Sequence, residues 1–431
     1  MRGDPEYDAT RQLFNAMIDH RPTLVARCSG AADVVASVGF ARAHGLAVSV
    51  RGGGHNVSGK AVVDGGLMID LAPMKSCRID PAGRTARAEP GLTLAEFDGD
   101  CQAFGLATTM GAISQTGIAG LTLGGGFGWL CGKYGLACDN LLSVDIVTAD
   151  GKLRTAGPTE HSDLFWAVRG AGANVGVVTS FEYRLHELGL VLGGGVVFPL
   201  AKGRRVLAFY DEFARSSPDE LSVNAAIWTT DSGAEVVGIA VGWCGALEAG
   251  ERLLKPLRTF ETPIADTIGP MCYVDRQRTN DAVFPRGRRH YWKAGWQRRL
   301  EAPAIDVMLD FAARRPSRYT RISLQHMHGA GARVAPTATA FAHRQDQWEV
   351  QMLSQWLDAA DDDRNVRWAR ELYAAMAPHM EHAVYVNSLS GDESDRVREA
   401  YGVNYERLAK VKAAYDPTNF FRSNQNVASA G

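Results

Sequence analysis

The sequence contains no run of about 18 apolar residues free of charge, the length that a membrane-spanning helix requires. It also lacks an excess of basic residues, since 46 Lys and Arg stand against 48 Asp and Glu, a formal net charge of −2. A chain without such an excess is a poor partner for a phosphate backbone. The segment Met1–Glu6 is polar and has no apolar core of a secretory signal. We therefore expect a cytoplasmic protein that binds neither membrane nor nucleic acid.

Cysteine is scarce and scattered. The 7 cysteines form no C-x-x-C pair, so we expect reduced and mostly buried thiols. Cys131 and Cys138 lie near a glycine-rich run, but a zinc site needs four closely spaced N or S ligands. His326 and His328 alternate along a predicted strand without a third ligand nearby, and we expect them to shape a pocket. We predict no metal site.

The composition is that of a globular protein, with 46% hydrophobic and 22% charged residues in 431. At about 150 residues per domain, this length predicts two or three domains. Short strands alternate with helices up to about residue 188, and longer strands and helices up to about 383 predict one antiparallel sheet with helices on one face. A polar tail then returns to the first domain. Predicted helices include Thr93–Phe104 with Thr93 as N-cap, Ala246–Lys255 ended by Pro256, and about Asp392–Tyr415.

Glycine is abundant, with 46 residues clustered in runs such as Arg51–Gly59, Thr116–Gly128 and Arg169–Asn174. Successive backbone N–H groups in a glycine-rich turn can bind phosphate oxygens. Neither G-x-G-x-x-G opening a helix nor G-x-x-x-x-G-K-[ST] occurs, so a nicotinamide Rossmann site or a P-loop has no specific support. Each run alone is also compatible with a tight turn or a buried hairpin. Two such runs in one domain favour a bound dinucleotide.

Further segments connect the chain to a known family: Arg51–Gly59, Asp64–Leu71, Gly124–Gly128, Lys133–Asn140, Asp163–Gly170, Asn174–Thr179 and Asp416–Arg422. In these segments the chain resembles the berberine-bridge-enzyme-like branch of the vanillyl-alcohol oxidase superfamily, in its bacterial 6-hydroxy-D-nicotine oxidase-like group. The resemblance implies an α+β, two-domain FAD-binding fold with an inserted antiparallel-sheet substrate domain. The FAD-binding domain would span 1–188, the inserted substrate-binding domain 189–383, and the return to the FAD-binding domain 384–431.

The resemblance also implies covalent FAD, because His55 stands where the family attaches the flavin 8α-methyl group to an imidazole nitrogen. A neutral imidazole is a suitable nucleophile near pH 7. Some relatives add a bond from a cysteine at the position of Ile113, so we predict a single attachment. The other cofactor-binding residues that the resemblance implies are Arg51, Gly52, Gly53, Gly54, Asn56, Gly59, Thr116, Gly117, Gly120, Leu121, Gly124, Gly125, Gly128, Asp139, Asn140, Gly176, Val177, Val178, Asn387 and Asn419.

Three catalytic residues follow from the resemblance: Tyr385, Gln351 and Glu349. Gln351 matches the family position that directs a Glu or Gln toward the substrate, and strand alternation puts Glu349 on the same face. Tyr385 matches the family's Tyr-x-Asn element and would accept a hydroxyl or amine proton if its pKa were lowered. The alternatives are a core tyrosine and, for Glu349, a solvated strand charge.

Some relatives carry a second phenol two residues after the linking histidine, where this chain has Val57. We expect Tyr291, Trp292 and Trp296 either to line a pocket or to lie in a hydrophobic core.

The function implied by the resemblance is that of an FAD-dependent oxidase acting on a CH–OH or CH–NH group. A small organic substrate would pass a hydride to flavin N5, and O2 would reoxidise the flavin to give H2O2. Thr116, beside the flavin ring by resemblance, is compatible with access of oxygen. The alternatives are a dehydrogenase with another electron acceptor, a redox-neutral flavin-containing cyclase and a binding protein without catalysis. The substrate (sugar, alkaloid, aromatic alcohol or natural-product intermediate) and the oligomeric state, monomer or homodimer, stay open.

Overall fold

A computed structural model describes residues 1–428, so positions 429–431 of the predicted C-terminal segment lie outside the described residues. The first part of the chain is built from short elements. Its strands are β1 (Leu24–Arg27), β2 (Val48–Arg51), β3 (Leu67–Asp70), β4 (Cys77–Asp80), β5 (Thr85–Ala88), β6 (Leu106–Ala107), β7 (Leu141–Val147), β8 (Leu153–Ala156), β9 (Val177–Arg184) and β10 (His186–Glu187). Its helices are α1 (Tyr7–Arg11), α2 (Ala31–Ala43), α3 (Leu94–Gln102), α4 (Ile118–Leu123), α5 (Cys131–Tyr134) and α6 (Ser162–Val168).

Two main sheets organise this part. β1, β3 and β2 pair in parallel in that order, and all four residues of the central strand β3 are buried, as expected for a strand covered on both faces. The second sheet is antiparallel, with the order β4-β5-β9-β7-β8. α3 begins as predicted, because Thr93 and Glu96 form a reciprocal capping box at its N-terminus.

The middle of the chain contains longer strands and helices. Its strands are β11 (Val191–Pro199), β12 (Leu221–Thr229), β13 (Glu235–Trp243), β14 (Ala265–Asp266), β15 (Gly269–Met271), β16 (Arg289–Gln297), β17 (Arg321–Met327) and β18 (Gln347–Trp356). They form one sheet in the order β14-β11-β13-β12-β17-β18-β16, with β15 also paired to β11. Its helices are α7 (Gly203–Arg215), α8 (Leu247–Thr259), α9 (Tyr273–Arg278), α10 (Ala302–Ala313), α11 (Gly329–Arg333) and α12 (Asp362–Met376).

The two faces of this sheet have different environments. Residues such as Ile227, Leu324 and Val350 share a hydrophobic core with residues of α7, α10 and α12. Their strand neighbours point the other way, and among them Ser323 and Gln351 line a cavity. The alternation therefore packs one face of the sheet against the helices and turns the other face toward the cavity.

Two predicted helix boundaries are wrong. α8 continues through Pro256 to Thr259, although proline cannot donate a backbone hydrogen bond, because Leu254 and Leu257 on either side are fully buried. The predicted helix over about Asp392–Tyr415 is divided into α13 (Val397–Tyr401) and α14 (Tyr405–Tyr415). The break falls at Gly402, whose φ of 47° is incompatible with a right-handed helix.

The C-terminal tail is attached by a buried ammonium group. Lys412 Nζ donates to the Asp416 carboxylate at 2.8 Å and to the carbonyl oxygens of Asn174 (2.9 Å) and Phe421 (2.7 Å). The Lys412 and Asp416 side chains have no exposed surface. The ammonium group thus connects α14 to the backbone at Asn174 and at Phe421, and the tail residues Asn424 and Gln425 that follow line the cavity.

We expect Lys412→Met to lower the free energy of unfolding by about 3–5 kcal/mol, because it removes one partner of a buried ion pair. Chemical denaturation followed by circular dichroism measures the change. The matched control is Arg398→Met, which removes a pair with Glu406 whose side chains are 66% and 72% exposed, and which should change stability little. Equal effects of the two substitutions would contradict the anchoring role of Lys412.

Candidate active site

A cavity of about 580 Å³ lies between the glycine-rich segments and the open face of the large sheet. Its walls come from three parts of the chain. The first part contributes Gly52, Gly53, Gly54, His55, Asn56, Lys60, Thr116, Gly117, Gly120 and Leu121. The sheet contributes Asn224, Trp228, Arg321, Ser323, Gln325 and Gln351, and the tail Tyr385, Asn387, Ser388, Asn424 and Gln425. The structure therefore brings together many, but not all, of the predicted site residues.

The two glycine runs cross in direct backbone contact. A Cβ atom at Gly53 would lie 2.5 Å from the Gly117 nitrogen, and one at Gly117 would lie 2.5 Å from the Gly53 nitrogen. No side chain fits at such a distance. The crossing places His55 and Thr116, each close in sequence to it, on one cavity wall.

Other predicted cofactor-binding glycines lie outside the wall: Gly59, Gly124, Gly125, Gly128 and Gly176. They make room for the protein itself, since a Cβ at Gly124 would lie 2.3 Å from the Asn387 side chain. At Gly176 it would lie 2.6 Å from the Val147 carbonyl oxygen. Sequence alone does not distinguish a glycine that makes room for a ligand from one that makes room for a neighbouring segment.

The remaining predicted cofactor ligands are also held away from the wall. Arg51 forms a bidentate pair with Asp70 at 2.9 and 2.8 Å, and both Asp139 oxygens accept from Arg344 at 2.7 Å. Asn140 donates to two backbone carbonyls at 2.9 Å. Val177 and Val178 are buried at the start of β9, and Asn419 lies in a turn with a φ of 51°.

His55 is enclosed by aromatic rings. Its imidazole stacks on Phe14 with ring centroids 3.9 Å apart, and Phe14 stacks on His290 at 4.3 Å. Burial, with a smaller effect of nearby Arg286, lowers the pKa of His55 to about 3. Its Nε2 atom is buried and has no hydrogen-bond partner in the part of the chain that the structure describes. The imidazole is therefore neutral, with a free Nε2 beside the cavity among residues 1–428, which fits an attachment point for a flavin.

Glu349, Gln351 and Ser388 form a hydrogen-bonded cluster at the cavity floor. The Glu349 carboxylate accepts from Gln351 Nε2 at 2.8 Å and from the Ser388 hydroxyl. Gln351 and Ser388 line the cavity, whereas Glu349 lies behind them with 1% of its surface exposed. The interpretation of Glu349 as a solvated strand charge is therefore wrong. Burial raises its pKa to about 7, against the opposing effect of the two hydrogen bonds.

The Tyr385 hydroxyl accepts two hydrogen bonds, from the Gly126 N–H at 3.1 Å and from Asn387 Nδ2 at 2.9 Å. No residue within 1–428 accepts its own proton. Burial raises the pKa of this phenol, so the lowered pKa required of a proton-accepting tyrosine is absent. Tyr385 is arranged to donate a hydrogen bond into the cavity.

Of the three aromatic residues expected to line a pocket or to lie in a core, one lines the cavity. Trp292 lines the cavity, whereas Trp296 is buried in the core near Phe127, and the Tyr291 hydroxyl donates to Asp392 at 2.8 Å. The expectation that His326 and His328 shape the pocket is wrong. His326 contacts Asp346 at 2.8 Å and stacks on His328, and neither lines the cavity.

Cysteine and metal expectations can be compared with the structure directly. Each cysteine is free, and only Cys272 is exposed. Residues 1–428 contain no cluster of three or more His, Cys, Asp or Glu that could hold a metal ion. Over the same residues no helix is both long and apolar enough to cross a membrane.

Several cavity residues carry no motif that marks them in the sequence, among them Lys60, Ser388, Asn424, Gln425 and Arg321. Lys60 Nζ donates to the Asn424 carbonyl at 2.8 Å and to the Gln425 side chain at 2.9 Å. A weaker signal was available for Arg321, because it alternates with two polar residues, Ser323 and Gln325, along a strand whose other face is apolar.

Comparison with known proteins identifies related chains. The family model described as "FAD binding domain" matches residues 22–157, and "Berberine and berberine like" matches 384–428. The chain is 33% identical to (R)-6-hydroxynicotine oxidase of Paenarthrobacter nicotinovorans, covering 99% of this chain and 96% of the relative. It is 31% identical to an FAD-linked oxidoreductase of Dictyostelium discoideum, covering 99% of this chain and 93% of the relative.

Among solved structures, 6-hydroxy-D-nicotine oxidase from Arthrobacter nicotinovorans superposes with a TM-score of 0.92 at 32% identity, covering 100% of this chain and 97% of the other. A BBE-like protein of Arabidopsis thaliana has the same fold, with a TM-score of 0.91 at 22% identity, covering 100% of this chain and 98% of the other.

Proposed function

Since the chain belongs to the berberine-bridge-enzyme-like family of FAD-dependent oxidoreductases, we propose that it is an oxidase with one covalent histidyl–flavin link through His55. It oxidises an alcohol or amine carbon of a small organic molecule, with O2 as electron acceptor and H2O2 as product. The observation that carries this proposal is the neutral imidazole of His55, whose Nε2 has no hydrogen-bond partner within 1–428, in the wall of a cavity that Tyr385 and Gln351 also line.

We propose that residues 1–188 and 384–431 form the FAD-binding domain and that 189–383 form the substrate-binding domain. The composition of the cavity wall supports this division. One side is built from the glycine runs and the tail, and the other side is built from the large sheet. Gly52–Gly54, Asn56, Thr116, Gly117 and Lys60 would hold the cofactor. When bound, FAD supplies the hydride acceptor for the carbon that is oxidised. A cytoplasmic location stays a prediction.

Glu349 accepts the substrate proton, and the Ser388 hydroxyl relays it. The Ser388 hydroxyl faces the cavity and donates to Glu349, so it can take a substrate proton while passing its own to the carboxylate. A carboxylate with a pKa near 7 is suited to this exchange at neutral pH. Gln351 holds the second oxygen of Glu349 and cannot itself accept the proton.

Tyr385 positions the substrate. Because its oxygen already accepts from Gly126 and Asn387, its proton is directed to a ligand heteroatom. A hydrogen bond to the substrate oxygen or nitrogen would orient the adjacent carbon. This role requires a protonated phenol, which agrees with the raised pKa.

Covalent attachment is tested by denaturation in acid. The wild-type pellet should stay yellow, and a proteolytic peptide containing His55 should carry the added mass of FAD. His55→Ala should release flavin into the supernatant, because its side chain has no nucleophilic nitrogen. His290→Ala, in the same aromatic stack, is the control and should keep the covalent flavin. Free FAD released from the wild-type protein would remove His55 from its proposed role.

The electron acceptor is tested with a substrate panel of 6-hydroxy-D-nicotine, sugars and aromatic alcohols. Under anaerobic conditions a true substrate should bleach the flavin absorbance, and admission of air should restore it with consumption of O2 and formation of H2O2. Slow recovery in air would identify a dehydrogenase instead. Product formation without bleaching would identify a redox-neutral cyclase.

The role of Glu349 predicts a pH dependence. Its ionised form is the proton acceptor and burial raises its pKa to about 7, so kcat/KM should rise with pH through about 7. Glu349→Gln should remove this limb and lower kcat/KM by about a hundredfold or more. The control Asp346→Asn removes a carboxylate that faces His326 outside the cavity and should leave the profile unchanged. An unchanged limb in Glu349→Gln would exclude Glu349 as the acceptor.

A further inference from the structure

The cavity has positive charge on its wall and no carboxylate. The charged residues that line it are Lys60, Arg276 and Arg321, and no Asp or Glu of the described residues does so. Lys60 lies beside the first glycine run, whereas the two arginines belong to the middle of the chain, on α9 and β17. The substrate side of the cavity thus contains two guanidinium groups without a neighbouring counter-ion in its wall.

Arg276 has an evident structural role. Its Nε donates to the Val241 carbonyl oxygen at 2.8 Å, and its guanidinium lies 3.3 Å from the centre of the Trp129 ring. Only 1% of its surface is exposed. These contacts join α9 to β13 and to the segment after the second glycine run, so Arg276 has a structural role although its Nη2 is buried without a partner within 1–428.

Arg321 has no comparable partner. Across the described part of the chain, no residue accepts a hydrogen bond from it or forms an ion pair with it, and its Nε is buried without a partner. Its nearest charged neighbours, Arg315 and Arg288, have the same sign. Burial and these neighbours lower its pKa only to about 10, so it stays charged at neutral pH. A partly buried guanidinium without a partner is unfavourable unless something else pairs with it.

The surroundings of Arg321 indicate the shape of that partner. The rings of Trp228 and Phe284 lie 5.7 and 5.6 Å from its guanidinium. In the sheet register, Trp292, Leu353 and Arg321 form one row across three strands, and all three line the cavity. Trp292 and Leu353 are apolar, and Arg321 is the charged residue of this row.

The next row carries Gln351, which holds the proposed proton acceptor Glu349. Gln351 pairs with Ser323, which is two residues from Arg321 along the strand, a separation of about 7 Å. The Arg321 row and the Gln351 row are thus adjacent on the cavity side of the sheet, with backbone positions about 7 Å apart. The planar fork of a guanidinium matches a carboxylate in two parallel hydrogen bonds.

We propose that Arg321 binds the carboxylate of the substrate, and that the enzyme oxidises a small carboxylic acid with an apolar, aromatic body between the acid group and the oxidised carbon. This inference rests on the proposed oxidase function. Arg321 is then a specificity-determining residue, and the aromatic rings around it hold the body of the acid.

The test uses the flavin-containing protein, with benzoate and benzamide as probes of equal shape and different charge. Titration calorimetry should show that wild-type protein binds benzoate at least about tenfold more tightly than benzamide. Arg321→Met should weaken benzoate binding by about tenfold to a hundredfold, the range for a hydrogen bond to a charged group. Benzamide binding should change by less than about threefold, since its contacts are apolar.

Control variants distinguish a ligand-binding arginine from a structural one. Arg318→Met removes a half-exposed guanidinium from the turn before β17 and should leave both affinities unchanged. Arg321→Met should not lower the unfolding temperature, because the guanidinium it removes has no ion-pair or hydrogen-bond partner within 1–428. A large decrease would indicate a structural role and overturn the proposal. Arg321→Lys should restore part of the preference for benzoate.

Equal affinity of the wild-type protein for the two probes would refute the proposal, and so would failure to bind either. Loss of flavin from Arg321→Met with unchanged benzoate affinity would assign the arginine to a cofactor phosphate instead. Since calorimetry does not depend on flavin colour, a colourless wild-type protein would contradict the oxidase function separately.

Discussion

The backbone contact between Gly53 and Gly117 is the constraint on which the site depends. A Cβ atom at either position would lie 2.5 Å from the opposing backbone nitrogen, so neither position accepts a side chain. This crossing brings two segments more than sixty residues apart into one wall and places His55 next to the cavity. The sheet on the other side needs no such approach, because its alternating side chains already direct Ser323 and Gln351 toward the same space.

Much of this organisation was predictable from the sequence. The α+β FAD-binding fold predicted from the family segments is confirmed by the superposition on 6-hydroxy-D-nicotine oxidase. Thr93 caps α3 as its sequence indicates, and strand alternation puts Glu349 and Gln351 on one face, where they are hydrogen-bonded. The cap and the strand alternation depend on neighbours a few residues apart, whereas the fold was predicted from the family resemblance.

The rest depends on contacts between distant segments. Glu349 is buried because the tail places Ser388 over it, and Asp139 is occupied by Arg344, 205 positions later. The glycines at 124 and 176 are needed by protein neighbours rather than by the cavity. Pro256 does not end α8 because buried leucines on both sides hold the last turn. No local pattern contains this information, since in each case the partner is chosen by the folded chain.

Glu349 and Arg321 show why two ionisable residues on one sheet have different consequences. Burial raises the pKa of Glu349 to about 7, so the carboxylate can relieve its own desolvation by taking up a proton. That property makes it useful as a proton acceptor. A guanidinium has no such option near neutral pH, because even after burial the pKa of Arg321 stays at about 10. In the proposed mechanism the carboxyl group acts by changing its charge, whereas the proposed partner of the arginine is an anion on the substrate. The same sheet face thus carries the proposed proton acceptor and, two rows away, the residue proposed to select the substrate.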